Sequence, residues 1–153
     1  MDLTSLAVEL LERLPANRTL GLTVVEAVDR IGRVEMAVSD GVRNVIGALH
    51  SSGVAALADA AALAAALSVA PDETLARRLQ PLGVEARLTF ERPLRGIASA
   101  VCQLDAVAAA ALSALFEGCQ PRARFTTLTG IDGDGASSAA AGEFDWVVRL
   151  GPS

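Results

Sequence analysis

Tyrosine and lysine are missing from this chain of 153 residues. All 13 basic residues are therefore arginine, against 18 acidic ones, for a net charge of −5. No basic run exists, and the only adjacent basic pair is Arg77-Arg78. Binding nucleic acid through its phosphates needs a positive surface that displaces counterions, so no nucleic-acid partner is expected. A single histidine and two cysteines are too few for a metal site of the usual His and Cys count, and no metal is expected. Cys102 and Cys119 lie far apart without CxxC spacing, and free thiols in a reducing cytosol are expected rather than a disulfide.

Charge is also scarce, at 20% of residues. No export signal is visible, because Asp2, Glu9 and Glu12 precede any sizeable apolar run. A cytoplasmic location is the expectation. The most apolar stretch, Val54 to Ala70, is built mostly from alanine and interrupted by Asp59. It is short and weakly hydrophobic for a membrane span, so no membrane partner is expected.

What the chain does have is apolar residues, 52% of the total, with 30 alanines. That composition excludes disorder as the overall state and is sufficient for one core. It also suggests apolar surface shared between subunits. Residues 3–14 read as an amphipathic helix ended by Pro15. Two strands follow, 19–29 and 31–39, with a hairpin turn at Arg30-Ile31-Gly32. Residues 40–49 are loop-like. Ser51 to about Val69 is the strongest helix, apolar around nearly its whole circumference and stopped by Pro71. Residues 72–80 are polar and helical in character. Strands follow at 83–91, with Val84, Ala86, Leu88 and Phe90 on one face, and at 97–107. A short helix at 108–116, a strand at 122–131, a turn at 132–138 and a strand at 139–150 complete the order. One apolar helix needs surrounding, and a curved antiparallel sheet of about six strands wrapped around it is the α+β solution.

The informative stretch is Arg43 to Asp59, RNVIGALHSSGVAALAD. Asn44, Gly47 and His50 occupy a loop leading into the helix. Ser51, Ser52 and Gly53 form its first turn, where amides lack intrahelical partners and the dipole is positive. Such a terminus suits a developing oxyanion. Equally, Ser51 or Ser52 caps the helix and His50 packs in the core. Asp59 stands amid Ala and Leu. It is either a solvated edge of the helix or a general base or nucleophile whose burial brings its pKa towards working pH. Nine residues from His50 to Asp59 amount to about two and a half turns, which places them on opposite sides of one helix. Any mechanism using both then requires a second subunit.

The pattern Asn44-x-x-Gly47-x-Leu49-His50, followed by Asp59 in a Leu-Ala-Asp context, resembles the hotdog-fold acyl-CoA thioesterases of the PaaI-like type and their uncharacterised bacterial branch. The resemblance covers about residues 20–150. It implies a single hotdog domain over 1–153, with 1–18 as an N-terminal helix packed on it. It further implies that Asn44 and the amide near Ser51 hold a thioester carbonyl. Asp59 of the partner chain would activate water or attack the carbonyl, and His50 would support the loop or contact the carbonyl region. Gly47, Ser51 and Ser52 would then lie on the substrate side. Arg92 and Arg95, which flank Pro93, would meet a coenzyme A phosphate or else form a solvated loop. No cofactor is implied beyond coenzyme A as part of the substrate. The assembly implied is a homodimer or a dimer of dimers. The family usually places two glycines after the His, where this chain has Ser51-Ser52. That departure motivates an alternative, a non-catalytic acyl or small-ligand binder on the same scaffold. A hotdog dehydratase or hydratase ranks last.

Overall fold

The apolar run after His50 forms a helix over Ser51–Leu67 in the computed structural model, which describes residues 1–134 and 136–152. Before it come α1 (Thr4–Ala7), a π-helical turn (Val8–Glu12), α2 (Pro15–Leu20), β1 (Leu22–Val28) and β2 (Ile31–Ala37). The long helix is α3. After it come α4 (Glu73–Ala76), β3 (Leu79–Phe90), β4 (Ile97–Gln103), α5 (Ala106–Phe116), β5 (Ala123–Gly133) and β6 (Ala136–Leu150). The six strands form one antiparallel sheet in the order β1-β2-β4-β5-β6-β3, curved around α3. This is the α+β hotdog arrangement expected from the sequence.

The helix is held at backbone distance from the sheet by small residues on both sides. Gly32 of β2 lies against Ala61 and Ala65, and a Cβ there would collide with the Ala61 carbonyl. Gly142 of β6 lies against Ala58, again with no room for a Cβ. Thr129 of β5, fully buried, donates its hydroxyl to the Ala58 carbonyl at 3.3 Å. Alanine is thus the working residue of α3: it favours the helix and lets strands approach closely.

Several local expectations need correction. Pro15 does not end the first helix but begins α2, where its missing N–H is harmless at the first helical position. Thr19 and Leu20 close α2, so β1 starts at Leu22. The hairpin turn is the pair Asp29-Arg30, both left-handed (φ 47° and 70°), because Val28 pairs with Ile31. Gly32 marks the close approach to α3 rather than the turn. The fourth strand stops at Gln103, since Asp105 caps α5 by accepting from the Ala108 amide at 2.7 Å. The expected turn at 132–138 is narrower, because β5 runs to Gly133 and β6 begins at Ala136; Gly135 lies outside the described residues.

Two surfaces depart from the expected burial. β3 pairs only with β6 and is exposed along nearly its whole length, with Leu82, Val84 and Phe90 open to solvent. Of the predicted apolar face, Ala86, Leu88 and Phe90 keep the alternation and Leu88 packs against the core, but a bulge between Gly83 and Glu85 breaks the pattern at Val84. The helix α3 likewise keeps one stripe only partly covered. Ala55, Ala56, Asp59 and Leu63 are half-buried, while Val54, Leu57, Ala58, Ala61 and Ala65 are fully buried. Residues three and four apart share a helix face, so these four form one strip along the axis.

Candidate active site

The loop before α3 builds itself. Asn44 Oδ1 accepts from the amides of Ile46 and Ala48, both at 3.0 Å. The Asn44 carbonyl accepts from the Gly47 amide at 3.0 Å, and the Asn44 amide donates to the Ala48 carbonyl at 2.7 Å. Gly47 sits at φ 73°, which a side chain would disfavour. The Asn44-x-x-Gly47 spacing therefore has a local physical cause. With Oδ1 committed, the remaining capacity of the Asn44 side chain is its Nδ2 donor pair. The loop is pinned from outside by Leu49 N–H to the Leu94 carbonyl (2.9 Å) and His50 N–H to the Val42 carbonyl (2.8 Å).

His50 is the N-cap of α3, exposed rather than packed in the core. Its Nδ1 accepts from the Ser52 amide at 3.2 Å and lies 2.9 Å from Ser52 Oγ. Accepting at Nδ1 places the proton of the neutral ring on Nε2. An imidazole here does the capping that sequence preference assigns to Ser, Thr, Asp or Asn. Ser51 and Ser52 are both exposed on the first turn. With Ser52 N–H engaged by His50, the Ser51 amide is the one that no hydrogen bond occupies among the described residues.

These groups line one open cleft of about 540 Å³. Asn44, His50 and Ser51 meet there with Arg92 and with the walls Ile46, Val54, Phe90 and Leu94. Arg92 donates to the Ser137 carbonyl, and Arg95 Nη2 donates to the Ile46 carbonyl at 3.2 Å. Both arginines thus brace the cleft's surroundings while keeping further N–H donors. Phe90 and Ile46 were not among the sequence candidates. The signal for Phe90 was its place at the end of a strand three residues before Pro93.

Asp59 is not in this cleft of its own chain. The expectation of opposite helix faces needs a correction here. The His50 ring folds onto Ser52, which shares a face with Asp59, and the separation is axial: seven residues, or about 10 Å of rise. That is too far for one carbonyl to meet both. Asp59 lies on the partly covered stripe; among the described residues no hydrogen bond or ion pair acts on its carboxylate, whose oxygens keep some access to solvent. Burial pushes its pKa up to about 6. A half-buried, unpartnered carboxylate of that kind can take a proton near neutral pH. Among the described residues no cluster of His, Cys, Asp and Glu has a metal-binding arrangement, and no helix is long and apolar enough to cross a membrane. Cys102 is buried and Cys119 exposed, both as free thiols.

No protein-family model and no curated protein matches the sequence. Solved structures do match the fold. A protein of unknown function described as a probable thioesterase, from Pseudomonas aeruginosa, is 23% identical over 96% of this chain and 95% of its own, with a TM-score of 0.76. A second thioesterase from the same organism, solved as a variant, is 17% identical over 94% of each chain, with a TM-score of 0.68. A protein of unknown function from Chlorobaculum tepidum reaches a TM-score of 0.77 at 12% identity, over 97% of this chain and 94% of its own. At these identities the likeness is one of fold.

Proposed function

We propose that the protein hydrolyses acyl-coenzyme A thioesters at a site shared by two copies of the chain. The observation that carries this reading is Asp59: a carboxylate with no partner, on the one strip of α3 that the sheet leaves open, with its pKa raised to about 6. The Asn44–Ser51 cleft supplies N–H donors, and its one carboxylate among the described residues is the solvent-exposed Glu91; the stripe supplies a carboxylate made more basic by burial but no donors. Joining the two halves across a two-fold axis completes a hydrolytic site. Solved thioesterases with the same fold support the reaction class.

In this mechanism the Asp59 carboxylate takes a proton from water while the water oxygen bonds to the thioester carbon. The carbonyl π electrons move onto oxygen, where Asn44 Nδ2 and the Ser51 amide donate to the oxyanion. The intermediate collapses, the C–S bond breaks, and coenzyme A leaves as thiolate, which takes the proton held by Asp59. The alternative is direct attack by Asp59, which expels coenzyme A thiolate and leaves a mixed anhydride; water then opens the anhydride, and in heavy-oxygen water attack at its aspartyl carbonyl labels Asp59, which the general-base route never does. His50 holds the first turn in place through Ser52, and Gly47 keeps the loop closed. The spare N–H groups of Arg92 and Arg95 meet coenzyme A phosphate at the mouth.

The dimer of this proposal joins along the exposed surfaces of the single chain. β3 presents an unpaired outer edge, with the apolar side chains of Leu82 and Val84 exposed on it, and an open apolar edge is a pairing surface.

The test is thiol release from short-chain, long-chain and aryl acyl-CoAs. Asp59→Asn and Asn44→Ala are each expected to lose at least a hundredfold in kcat/KM. Mixed and refolded together, the two variants form heterodimers in which one of two sites is intact, restoring about a quarter of wild-type activity. No thiol release from any of these substrates sinks the hydrolase reading, and failure of the mixture to regain activity sinks the shared site. Intact acyl-CoA retained without turnover identifies the non-catalytic binder instead.

A further inference from the structure

One cavity is untouched by the chemistry above. It is about 240 Å³, and its walls come from the π-helical turn (Leu10, Leu11), from α3 (Leu63, Ala66) and from the sheet margin (Leu79, Val148). The only charged side chain on it is Arg77, whose guanidinium is committed to Glu9 through two hydrogen bonds at 3.0 and 2.7 Å. With the Arg77 charge countered by Glu9 and the other wall residues apolar, the recess favours an apolar ligand. The Glu9–Arg77 pair ties the N-terminal turn to the segment after α4, which fixes the outer wall. The π-helical winding is itself a departure from regular helix that brings Leu10 and Leu11 to the wall.

Its position relative to Asp59 gives the recess a role. Leu63 lies one turn from Asp59 on the same stripe, about 6 Å along the axis, and Ala66 continues in the same direction. A chain leaving a carbonyl at Asp59 and running towards the C-terminal end of α3 therefore meets Leu63, which lines the recess, one turn on. We infer that this N-terminal recess receives the tail of the acyl group, so that the substrates are unbranched aliphatic thioesters of medium chain length rather than acetyl, aryl or charged acyl groups. The inference rests on the hydrolase reading for the position of the carbonyl, but the recess is testable without turnover.

The probe is S-decyl-coenzyme A, a thioether that cannot be hydrolysed, titrated calorimetrically against the whole protein alongside S-ethyl-coenzyme A. S-decyl-coenzyme A is expected to bind at least thirtyfold more tightly. Leu10→Trp fills the recess from its half-buried rim, and Ala66→Leu fills it from the floor; thermal unfolding of each variant checks the fold. Either folded variant is expected to cut S-decyl binding at least tenfold and leave S-ethyl binding within twofold. In turnover, the same variants are expected to lose kcat/KM for decanoyl-CoA and keep it for acetyl-CoA. Chain-length-selective binding with no hydrolysis of any acyl-CoA upholds the recess and refutes the hydrolase. Hydrolysis that is indifferent to chain length and to both variants upholds the hydrolase and overturns the recess.

Discussion

Gly142 of β6 lies directly behind Ala58 of α3, with no room for a methyl group between them. The next helix residue is Asp59, so the strand backbone sets how far the carboxylate stands from the sheet. Gly142→Ala must push α3 outward or bend β6. An overpacked contact of this kind costs about 1–3 kcal/mol. Chemical denaturation is expected to show that loss, and thiol release to fall with it as Asp59 shifts. Unchanged stability would mean that the helix is not seated on this strand.

Asp59 should make the protein less stable as pH rises. Its pKa in the folded chain, about 6, lies above the ordinary 3.8. Between those values the folded state holds a proton that the unfolded state has released, so the contribution of Asp59 to stability is fully present below about pH 4 and is lost as pH rises to about 6. The shift corresponds to roughly 2–3 kcal/mol. Asp59→Asn is therefore expected to raise Tm at pH 7.5 while abolishing turnover, with the Tm difference vanishing near pH 4. The kcat/KM of the wild type is expected to rise with pH through an inflection near 6. A Tm difference independent of pH would show that Asp59 is freely solvated.

At the start of α3, His50 acts as a cap, and its replacements should sort by capping ability. His50→Ala removes the acceptor for the Ser52 amide and is expected to cost about 1 kcal/mol. His50→Asn offers a side-chain oxygen in the same role and is expected to retain most of that stability. Equal destabilisation by both would show that the ring acts through something other than the cap.

Asn44 Oδ1 closes the loop, and in the proposed mechanism its Nδ2 donates to the oxyanion, so the two roles are separable. Asn44→Asp keeps the acceptor for Ile46 and Ala48 and removes the donor pair. It is expected to fold with wild-type Tm and to lose about a hundredfold in kcat, the usual effect of deleting one oxyanion donor. Asn44→Ala loses both roles and is expected to drop in Tm as well. A fully active Asn44→Asp would remove Asn44 from the proposed mechanism.

The helix–sheet arrangement was legible because one uncharged, alanine-rich segment between Ser51 and Leu67 admits little else, and because the strands around it alternate. The turn Asp29-Arg30 was missed because neither residue is glycine; the nearby Gly32 drew the turn towards itself, although its smallness serves contact with Ala61. The second helix was missed because proline ends helices as often as it starts them. In the site, Asn44, His50 and Ser51 were readable together because one loop carries them into α3; Arg92, on the loop after β3, was reached only through the family resemblance, and the fold brings it to their cleft. The capping by His50 was not readable, since histidine is an uncommon cap and its rotamer depends on Ser52. Nor could a single sequence show that β3 and the Asp59 stripe are both left open, because exposure of an apolar face depends on which strand ends the sheet.

The turn held by Asn44 and Gly47 is closed by the Asn44 carboxamide oxygen and by main-chain groups, including those of Ile46, while the side chains of Val45 and Ile46 at its apex take no part in closing it and stand largely in water. Those two positions can therefore be rewritten without disturbing the frame. They are the natural place to graft new selectivity, a bulkier or charged pair at the apex changing what passes into the cleft while the machinery behind it stays as it is.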